Sequence, residues 1–315
     1  MRRRDVLIGA ASVLCAGPAR SQQPAGGIRP VLLFLSPAEV PVLQELQDGL
    51  AARGHVEGRS LVIQRRIGRL SEASADIASQ KVDLIFAVSP ESLRAARAFT
   101  QTIPIVAFDL ETDPVEEGYA ATFSRPGGNV TGVFLDQPTL AGKWVQYLGQ
   151  ALPSLSGIAV LWDPATPPAQ LKATQRAAAK LGIGTRVFAF GPDLAAIFAE
   201  MKTSGAEGVV LLSSPLIFRD KARLADLARS TGLAAIFMFR EFALEGGLIA
   251  YGPDFATLRR RSVDFVDKIL KGQRPGEIPL EGSAKFNLVL NLRTATALGL
   301  TFPPAMLAEA DEVIE

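Results

Sequence analysis

The sequence predicts an α/β protein made of two Rossmann-like lobes, each built on a parallel sheet, with a cleft between them. Short apolar runs without polar alternation recur along residues 29–315, as expected of strands that are buried on both faces. Helical stretches of about 10 to 15 residues separate these runs, which is the pattern of βαβ units. The alternation forms two series of similar length with a break near residues 135–142, and this break indicates two lobes.

The first series begins with the continuous apolar run VLLFLS at residues 31–36. Gly54 marks the end of the helix that follows, and Pro90 opens another helix at its first turn. Strands are predicted at 31–36, 61–67, 82–89, 103–109 and 130–134, and helices at 40–54, 72–81 and 90–101.

The second series repeats this order, and a shorter tail follows it. Strands are predicted at 157–163, 185–190, 208–214 and 234–239, and helices at 140–153, 168–182, 193–205 and 219–232. The tail offers strands at 247–252, 277–281 and 285–291, a helix at 255–272 and a last short helix. Because the tail is too small for a third domain, we expect it to complete both lobes. The predicted lobes are 29–135 with 254–281, and 136–253 with 282–315.

The first residues have the layout of an export signal. Three arginines at 2–4 precede an apolar run of 12 residues at 6–17, whereas a membrane-spanning helix needs about 20. Small residues at Ala19 and Ser21 predict cleavage before Gln22. We therefore predict a signal peptide at 1–21, a linker at 22–28 and a periplasmic location.

Two details of this segment bear on the route and on its alternatives. The adjacent arginines are also typical of the twin-arginine export route. A lipid anchor on Cys15 is one alternative, although Leu14 precedes the cysteine where a small residue is expected. A cytosolic N-terminal helix is the other alternative.

The composition argues against several kinds of chemistry. Cys15 is the one cysteine and His55 the one histidine, so thiol nucleophiles, His-rich zinc sites and Ser-His-Asp triads are hard to build. Residues 1–21 carry four of the 33 basic and one of the 32 acidic residues, which leaves 29 basic and 31 acidic residues, a net charge of −2. No basic excess remains to attract nucleic acid. We predict no catalytic residue, metal site or cofactor.

Candidate binding residues lie just after the predicted strands, because ligands of open α/β sheets bind beyond the carboxyl ends of the strands. Several are Ser or Asp followed by Pro and a helix, an arrangement in which free backbone N–H groups bind carboxylate or phosphate oxygens. Helix capping alone is the alternative at each junction. The candidates are Ser36, Pro37, Ser89, Pro90, Glu91, Asp109, Glu111, Asp136, Asp163, Ser214, Arg240 and Tyr251.

Two charged clusters have ordinary alternative explanations. The carboxylates of Asp109, Glu111 and Asp113 could serve a hydrolase or hold a metal, but such a cluster is also typical of a solvated loop. The three arginines at 259–261 lie on the predicted helix at 255–272, where we expect them to form a solvated face.

Stretches along the whole chain after the signal segment resemble the substrate-binding proteins of ABC transporters, in the group that includes the tryptophan- and tyrosine-type proteins. The matching stretches are 54–66, 103–133, 159–167, 240–254, 266–281 and 285–315. The resemblance implies a type I periplasmic-binding-protein fold with three crossovers, near 135–138, 249–254 and 281–285. It implies capture of a small solute and its delivery to a membrane ABC permease by a monomer, without catalysis. A sensing module that docks a receptor and an exported carboxylate-based hydrolase remain as alternatives.

Strand-end position and the family pattern together suggest roles for the candidates. The predicted helix starts at Ser36-Pro37 and Ser89-Pro90-Glu91 are expected to hold a ligand carboxylate. A ligand amine is expected to bind to Asp109, Glu111 or Asp163. Tyr251 and Phe239 are expected to pack on an apolar or aromatic body, and lobe closure is expected to enclose the ligand.

Overall fold

The computed structural model describes residues 29–68, 70, 81–135, 137–283 and 285–315, with the backbone alone at 137 and 138. The predicted signal peptide, the linker and Asp136 lie outside the described residues, as does the predicted helix at 72–81 apart from Lys81. In the described part, no helix combines the length and the apolarity needed to cross a bilayer.

Twelve strands are described, and they form two sheets. They are β1 (Val31–Ser36), β2 (Val62–Ile67), β3 (Leu84–Val88), β4 (Ile105–Phe108), β5 (Val130–Val133), β6 (Gly157–Trp162), β7 (Gly184–Ala189), β8 (Gly208–Leu211), β9 (Ala234–Phe237), β10 (Ile249–Pro253), β11 (Phe286–Asn291) and β12 (Glu312–Ile314). The sheet of lobe 1 has the order β2-β1-β3-β4-β5, and that of lobe 2 has the order β12-β11-β10-β9-β8-β6-β7. Every residue of β3, β4 and β5 is buried, as their apolar runs predict.

Eleven α-helices are described around these sheets. They are α1 (Val42–Ala52), α2 (Ser89–Phe99), α3 (Gln137–Ala151), α4 (Ala169–Lys180), α5 (Leu194–Thr203), α6 (Pro215–Arg219), α7 (Lys221–Thr231), α8 (Arg240–Leu244), α9 (Phe255–Leu270), α10 (Leu292–Ala297) and α11 (Pro304–Glu309). Helix α9 packs on α1 and on β3, β4 and β5 of lobe 1, although it follows a strand of lobe 2. The two lobes are therefore joined by three passages of the chain: after β5, after β10 and before β11.

The predicted class of fold is confirmed, with one difference in lobe 2. All strand pairs of lobe 1 are parallel, but β10 and β11 are antiparallel. The chain leaves β10 towards lobe 1 and returns from the same side, so β11 enters the sheet in the opposite direction. Strand β12 then pairs with β11 in parallel.

Two local predictions are wrong, and a third is confirmed with an additional short helix before it. The segment predicted as a strand at 277–281 follows a 3₁₀ turn at Pro275–Glu277 and makes a single bridge, from Glu281 to Val133. Pro279 lacks a backbone N–H group and so cannot continue a ladder. The helix predicted at 219–232 is α7. The short helix α6 precedes it, because Ser214 and Pro215 begin a helix before the predicted start. The last segment contains two helices and β12 rather than one helix.

The two lobes share one topology. The first five strands of lobe 2 in chain order, β6 to β10, are arranged β7-β6-β8-β9-β10, which repeats the order β2-β1-β3-β4-β5 of lobe 1. In each lobe the winding reverses between the first and third strands. Crevices at such a reversal, beyond the carboxyl ends of the strands, are where doubly wound sheets bind ligands.

Candidate ligand-binding cleft

A cavity lies where the two reversal points face each other. Lobe 1 lines it with the chain after β1, β3 and β4, and lobe 2 lines it with the chain after β8 and β9. The first turn and a half of α9 adds Phe255 and Arg259. Most of the lining is apolar, and the cavity has a volume of about 60 Å³ in this structure.

Ser89 stands at the start of α2 in an unusual conformation. Its φ of 86° is the one positive value at a non-glycine residue in the described part of the chain. Its side chain is 3% exposed, its Oγ atom has no hydrogen-bond partner and no side chain caps the helix. A non-glycine residue in this region of φ is strained, and such strain is characteristic of functional sites. Ser89 therefore offers a hydroxyl and a helix start that the fold itself does not use.

Asp109 is fully buried directly after β4. Its Oδ1 atom accepts hydrogen bonds from the backbone N–H groups of Glu111 and Thr112, both at 3.1 Å. Burial raises the pKa of Asp109 to about 6, and hydrogen bonds from Thr112 and Glu111 offset only part of this effect. The positive charge of Arg94, like those hydrogen bonds, acts to lower the pKa of Asp109.

Glu111 lines the cavity two residues further on and is 3% exposed. Burial, and next the charge of Asp109, raise the pKa of Glu111 well above its usual range. Ser213 of lobe 2 donates a hydrogen bond from Oγ to Glu111 Oε1 at 2.5 Å. This bond crosses from one lobe to the other, so Glu111 belongs both to the cavity lining and to a contact between the lobes.

Aromatic side chains form the opposite wall. Phe239 lies 4.6 Å from Phe218 and 4.3 Å from Phe255, measured between ring centroids, and its ring stacks on that of Phe255. Phe218 and Phe239 belong to lobe 2, whereas Phe255 opens α9, which packs on lobe 1. The wall is thus a stack that both lobes share, and an apolar group can lie against it.

Four of the predicted residues line this cavity, namely Ser89, Glu111, Ser214 and Phe239. Asp109 is not a lining residue, but its carboxylate accepts a hydrogen bond from the backbone N–H group of Glu111. The prediction of a helix start at Ser36-Pro37 is wrong, because α1 begins only at Val42 and Ser36 donates its hydroxyl to the carbonyl of Ala38. The chain needs these extra residues to turn from β1 before a helix can form.

Other candidates lie outside the cavity lining in this structure. Asp163 accepts a hydrogen bond from the N–H group of Ala165 and so closes its own turn. Arg240 forms an ion pair with Glu312 on β12 at 2.6 Å. Tyr251 packs between the rings of Tyr147 and Phe286. The rest of this group are Pro37, Pro90 and Glu91.

Sequence reasoning overlooked Arg259, which was expected on a solvated face. Its side chain is only 14% exposed, lines the cavity and pairs with Glu45 of α1. Helical spacing carried the signal, since Arg259 lies four residues after Phe255 and four before Val263, and both of these are buried. Phe218 was also missed, because it lies on α6, a helix that was not predicted.

The fold and the cleft define a solute-binding protein of the type I periplasmic-binding kind. The family model for ABC transporter substrate-binding proteins matches residues 31–314, and the chain belongs to this family. Members of the family are extracytoplasmic proteins that bind small-molecule ligands and work with ABC permeases; solute binding is not an enzyme class.

Several relatives are similar over most of the chain. A tyrosine-binding protein of Clostridioides difficile (strain R20291) is 23% identical over 274 residues, which cover 83% of this chain and 79% of the relative. A conserved domain protein from Vibrio cholerae has a TM-score of 0.80 at 24% identity, covering 90% of this chain and 99% of the other. An ABC domain from Streptococcus pneumoniae in complex with L-Trp has a TM-score of 0.80 at 22% identity, covering 91% and 100%. The structural likenesses show the shared fold.

Proposed function

We propose that this chain captures an amino acid with an apolar or aromatic side chain and, as a monomer, delivers it to an ABC importer. The observation that carries the proposal is a cavity between two lobes that is lined by the buried carboxyl group of Glu111, an unpartnered serine and an aromatic wall. The tyrosine-binding relative and the L-Trp complex support the same class of ligand.

The carboxylates are suited to an ammonium group. Asp109 and Glu111 are both buried, and their raised pKa values reflect the cost of placing negative charge there without a matching cation. A ligand ammonium supplies that cation. It favours the ionised carboxylates and gains charge-assisted hydrogen bonds in return.

The start of α2 is suited to the ligand carboxylate. The first-turn N–H groups of Ser89 and Glu91 have no partner within the helix, and the positive end of the helix dipole favours an anion. The unpartnered hydroxyl of Ser89 adds a further donor at this point. The apolar part of the ligand then packs on Phe218, Phe239 and Phe255.

Capture requires movement of the lobes. Glu111 bonds to Ser213, and Arg94 donates from Nη2 to the carbonyl of Ala165 at 2.8 Å, so two hydrogen bonds join lobe 1 to lobe 2 around the cavity. In this proposal the lobes separate to admit the ligand and close on it, and these bonds re-form in the closed state.

The proposed location is the periplasm, reached by cleavage of the signal peptide near Ser21 and Gln22 after Sec or twin-arginine export. N-terminal sequencing of the exported protein is expected to begin at or near Gln22. A protein that starts at a lipid-bearing Cys15 would contradict this part of the proposal.

Binding is tested by isothermal titration of the protein from residue 22 with each of the common amino acids, alongside native mass spectrometry of retained ligand. We expect L-tyrosine or L-tryptophan to bind, and Asp109→Asn to bind at least about tenfold more weakly. Asp113→Asn is the matched control, because Asp113 lies on the same loop but caps only Val115 and Glu116. Absence of binding to every amino acid would overturn the proposed ligand class.

A further inference from the structure

Arg259 differs from its two neighbours in the run of three arginines on α9. Arg260 is exposed and donates to Thr257, and Arg261 is exposed and makes a two-pronged contact with Glu281. Arg259 instead turns towards α1 and lines the cavity. It is the single cationic side chain among the lining residues described.

Glu45 holds this guanidinium in place. Its Oε1 atom accepts a hydrogen bond from Arg259 Nε at 2.7 Å, and the two residues join α9 to α1. A guanidinium has five N–H donors in a rigid fork. The bond to Glu45 uses one of them, and the Nη atoms donate to no acceptor among the described residues. A fixed cation with donors to spare thus borders a cavity whose lining is mostly apolar.

An anion of the ligand can accept hydrogen bonds from the N–H groups that the pair with Glu45 does not use. A cation beside apolar surface is stabilised by a charged acceptor, and arginine binds carboxylates with two parallel hydrogen bonds. Helix α9 packs against β3, whose last residue precedes Ser89, and Arg259 and Ser89 line the same cavity. Both therefore offer donors to one ligand.

We propose that Arg259 binds the carboxylate of the amino-acid ligand together with the start of α2, with Glu45 as a positioning residue. This proposal rests on the proposed function and deepens it, because it makes Arg259 the residue that selects amino acids over amines of the same shape. An amine has no carboxylate for Arg259 to bind. Removal of Arg259 therefore leaves the ammonium and aromatic contacts of the amine unchanged.

The test compares L-tyrosine with tyramine, and L-tryptophan with tryptamine, by isothermal titration. In the parent protein we expect the amino acid to bind more tightly than its amine. In Arg259→Gln we expect the amino-acid affinity to fall at least about tenfold while the amine affinity stays within about twofold. Arg260→Gln is the matched control and is expected to change neither affinity. Glu45→Gln is expected to lower the amino-acid affinity by less than Arg259→Gln and to leave the amine affinity unchanged.

Arg259→Lys keeps the charge without the fork and is expected to bind the amino acids with intermediate affinity, which provides a second variant if the glutamine does not fold. Equal affinity of Arg259→Gln and the parent for the amino acids would overturn the role of Arg259 and leave the proposed function standing. A parallel loss for amino acid and amine would also overturn it, because it would indicate a general structural effect. A parent that binds neither amino acid would overturn both proposals.

Discussion

Ser89 and Ser214 occupy equivalent places in the two lobes, yet the fold uses them differently. Each follows the third strand of its lobe and precedes a proline that opens a helix. Ser214 accepts a hydrogen bond from the N–H group of Ile217 and so caps α6. Ser89 caps nothing, has a positive φ and leaves its hydroxyl unpartnered. The same two-residue motif is a structural cap in lobe 2 and a free group in lobe 1.

The difference extends to the whole cavity. The ionisable residues of the lining, Glu111 and Arg259, belong to lobe 1 or to the helix that packs on it, as does Asp109, which accepts the N–H group of Glu111. Lobe 2 contributes two serines, a proline and two phenylalanines to the lining. In the proposed site, two sheets of one topology thus have different roles: lobe 1 carries polar recognition, and lobe 2 provides a mostly apolar surface with a polar contact to lobe 1.

Removing the charge of Glu111 tests this division most severely. We expect Glu111→Gln to lower the affinity for L-tyrosine by about 10- to 100-fold, since a hydrogen bond to a charged group contributes about 1.5–3 kcal/mol. Ser213→Ala breaks the same interlobe bond from the side of lobe 2 and is expected to cost about 1 kcal/mol or less. Titration calorimetry on both variants gives the ratio of the two losses of affinity for L-tyrosine. Equal losses would mean that Glu111 serves closure alone.

Protonation of the carboxylates should have opposite effects on binding and on stability. Burial raises the pKa of Asp109 to about 6, so its neutral form predominates up to about pH 6 in the ligand-free folded protein. The neutral carboxyl group of Asp109 then contributes fully to the free energy of unfolding below about pH 4, near the usual pKa of an aspartate. This contribution is lost as the pH rises through about 6. A cationic ligand needs the ionised form, so affinity is expected to fall as the pH drops through about 6.

These two pH dependences can be measured separately. Chemical unfolding of the ligand-free protein between pH 4 and 8 reports stability, and titration with L-tyrosine over the same range reports affinity. Asp109→Asn is the control and should flatten both curves in part, because Glu111 still titrates. An affinity that rises on acidification would show that the carboxylates do not hold the ammonium group.

Apolar periodicity was enough to predict the central strands β3, β4 and β8, because they are buried on both faces and their sequences are continuous apolar runs. It could not predict β12, whose three residues join a sheet only after the chain has crossed between lobes. Strand-end position found Ser89 and Glu111 but not Arg259, since a helix from the crossover brings that residue to the cavity. Long-range packing, which no local pattern encodes, completes the site.

The paired serines offer a reciprocal test of smaller size. We expect Ser214→Ala to lower the free energy of unfolding by about 1 kcal/mol through loss of the cap, with ligand affinity unchanged. Ser89→Ala is expected to weaken L-tyrosine binding about fivefold through loss of one hydrogen bond, with stability within about 0.5 kcal/mol of the parent. Chemical unfolding gives the free energy of unfolding of each variant, and calorimetry gives its affinity for L-tyrosine. Similar profiles for the two variants would contradict the division between a capping and a free serine.

The smallest expected effect concerns the second interlobe bond. Arg94 is exposed, and its hydrogen bond to the carbonyl of Ala165 is open to competition from water, so Arg94→Ala is expected to cost about 1 kcal/mol or less of closure. The ligand-free variant should then show a larger radius of gyration in small-angle X-ray scattering, and saturating L-tyrosine should restore the compact value. Arg97→Ala is the control, because Arg97 lies on the same helix but bonds to Asn129 within lobe 1. An equal expansion in both variants would place the effect in lobe 1 rather than in the contact between the lobes.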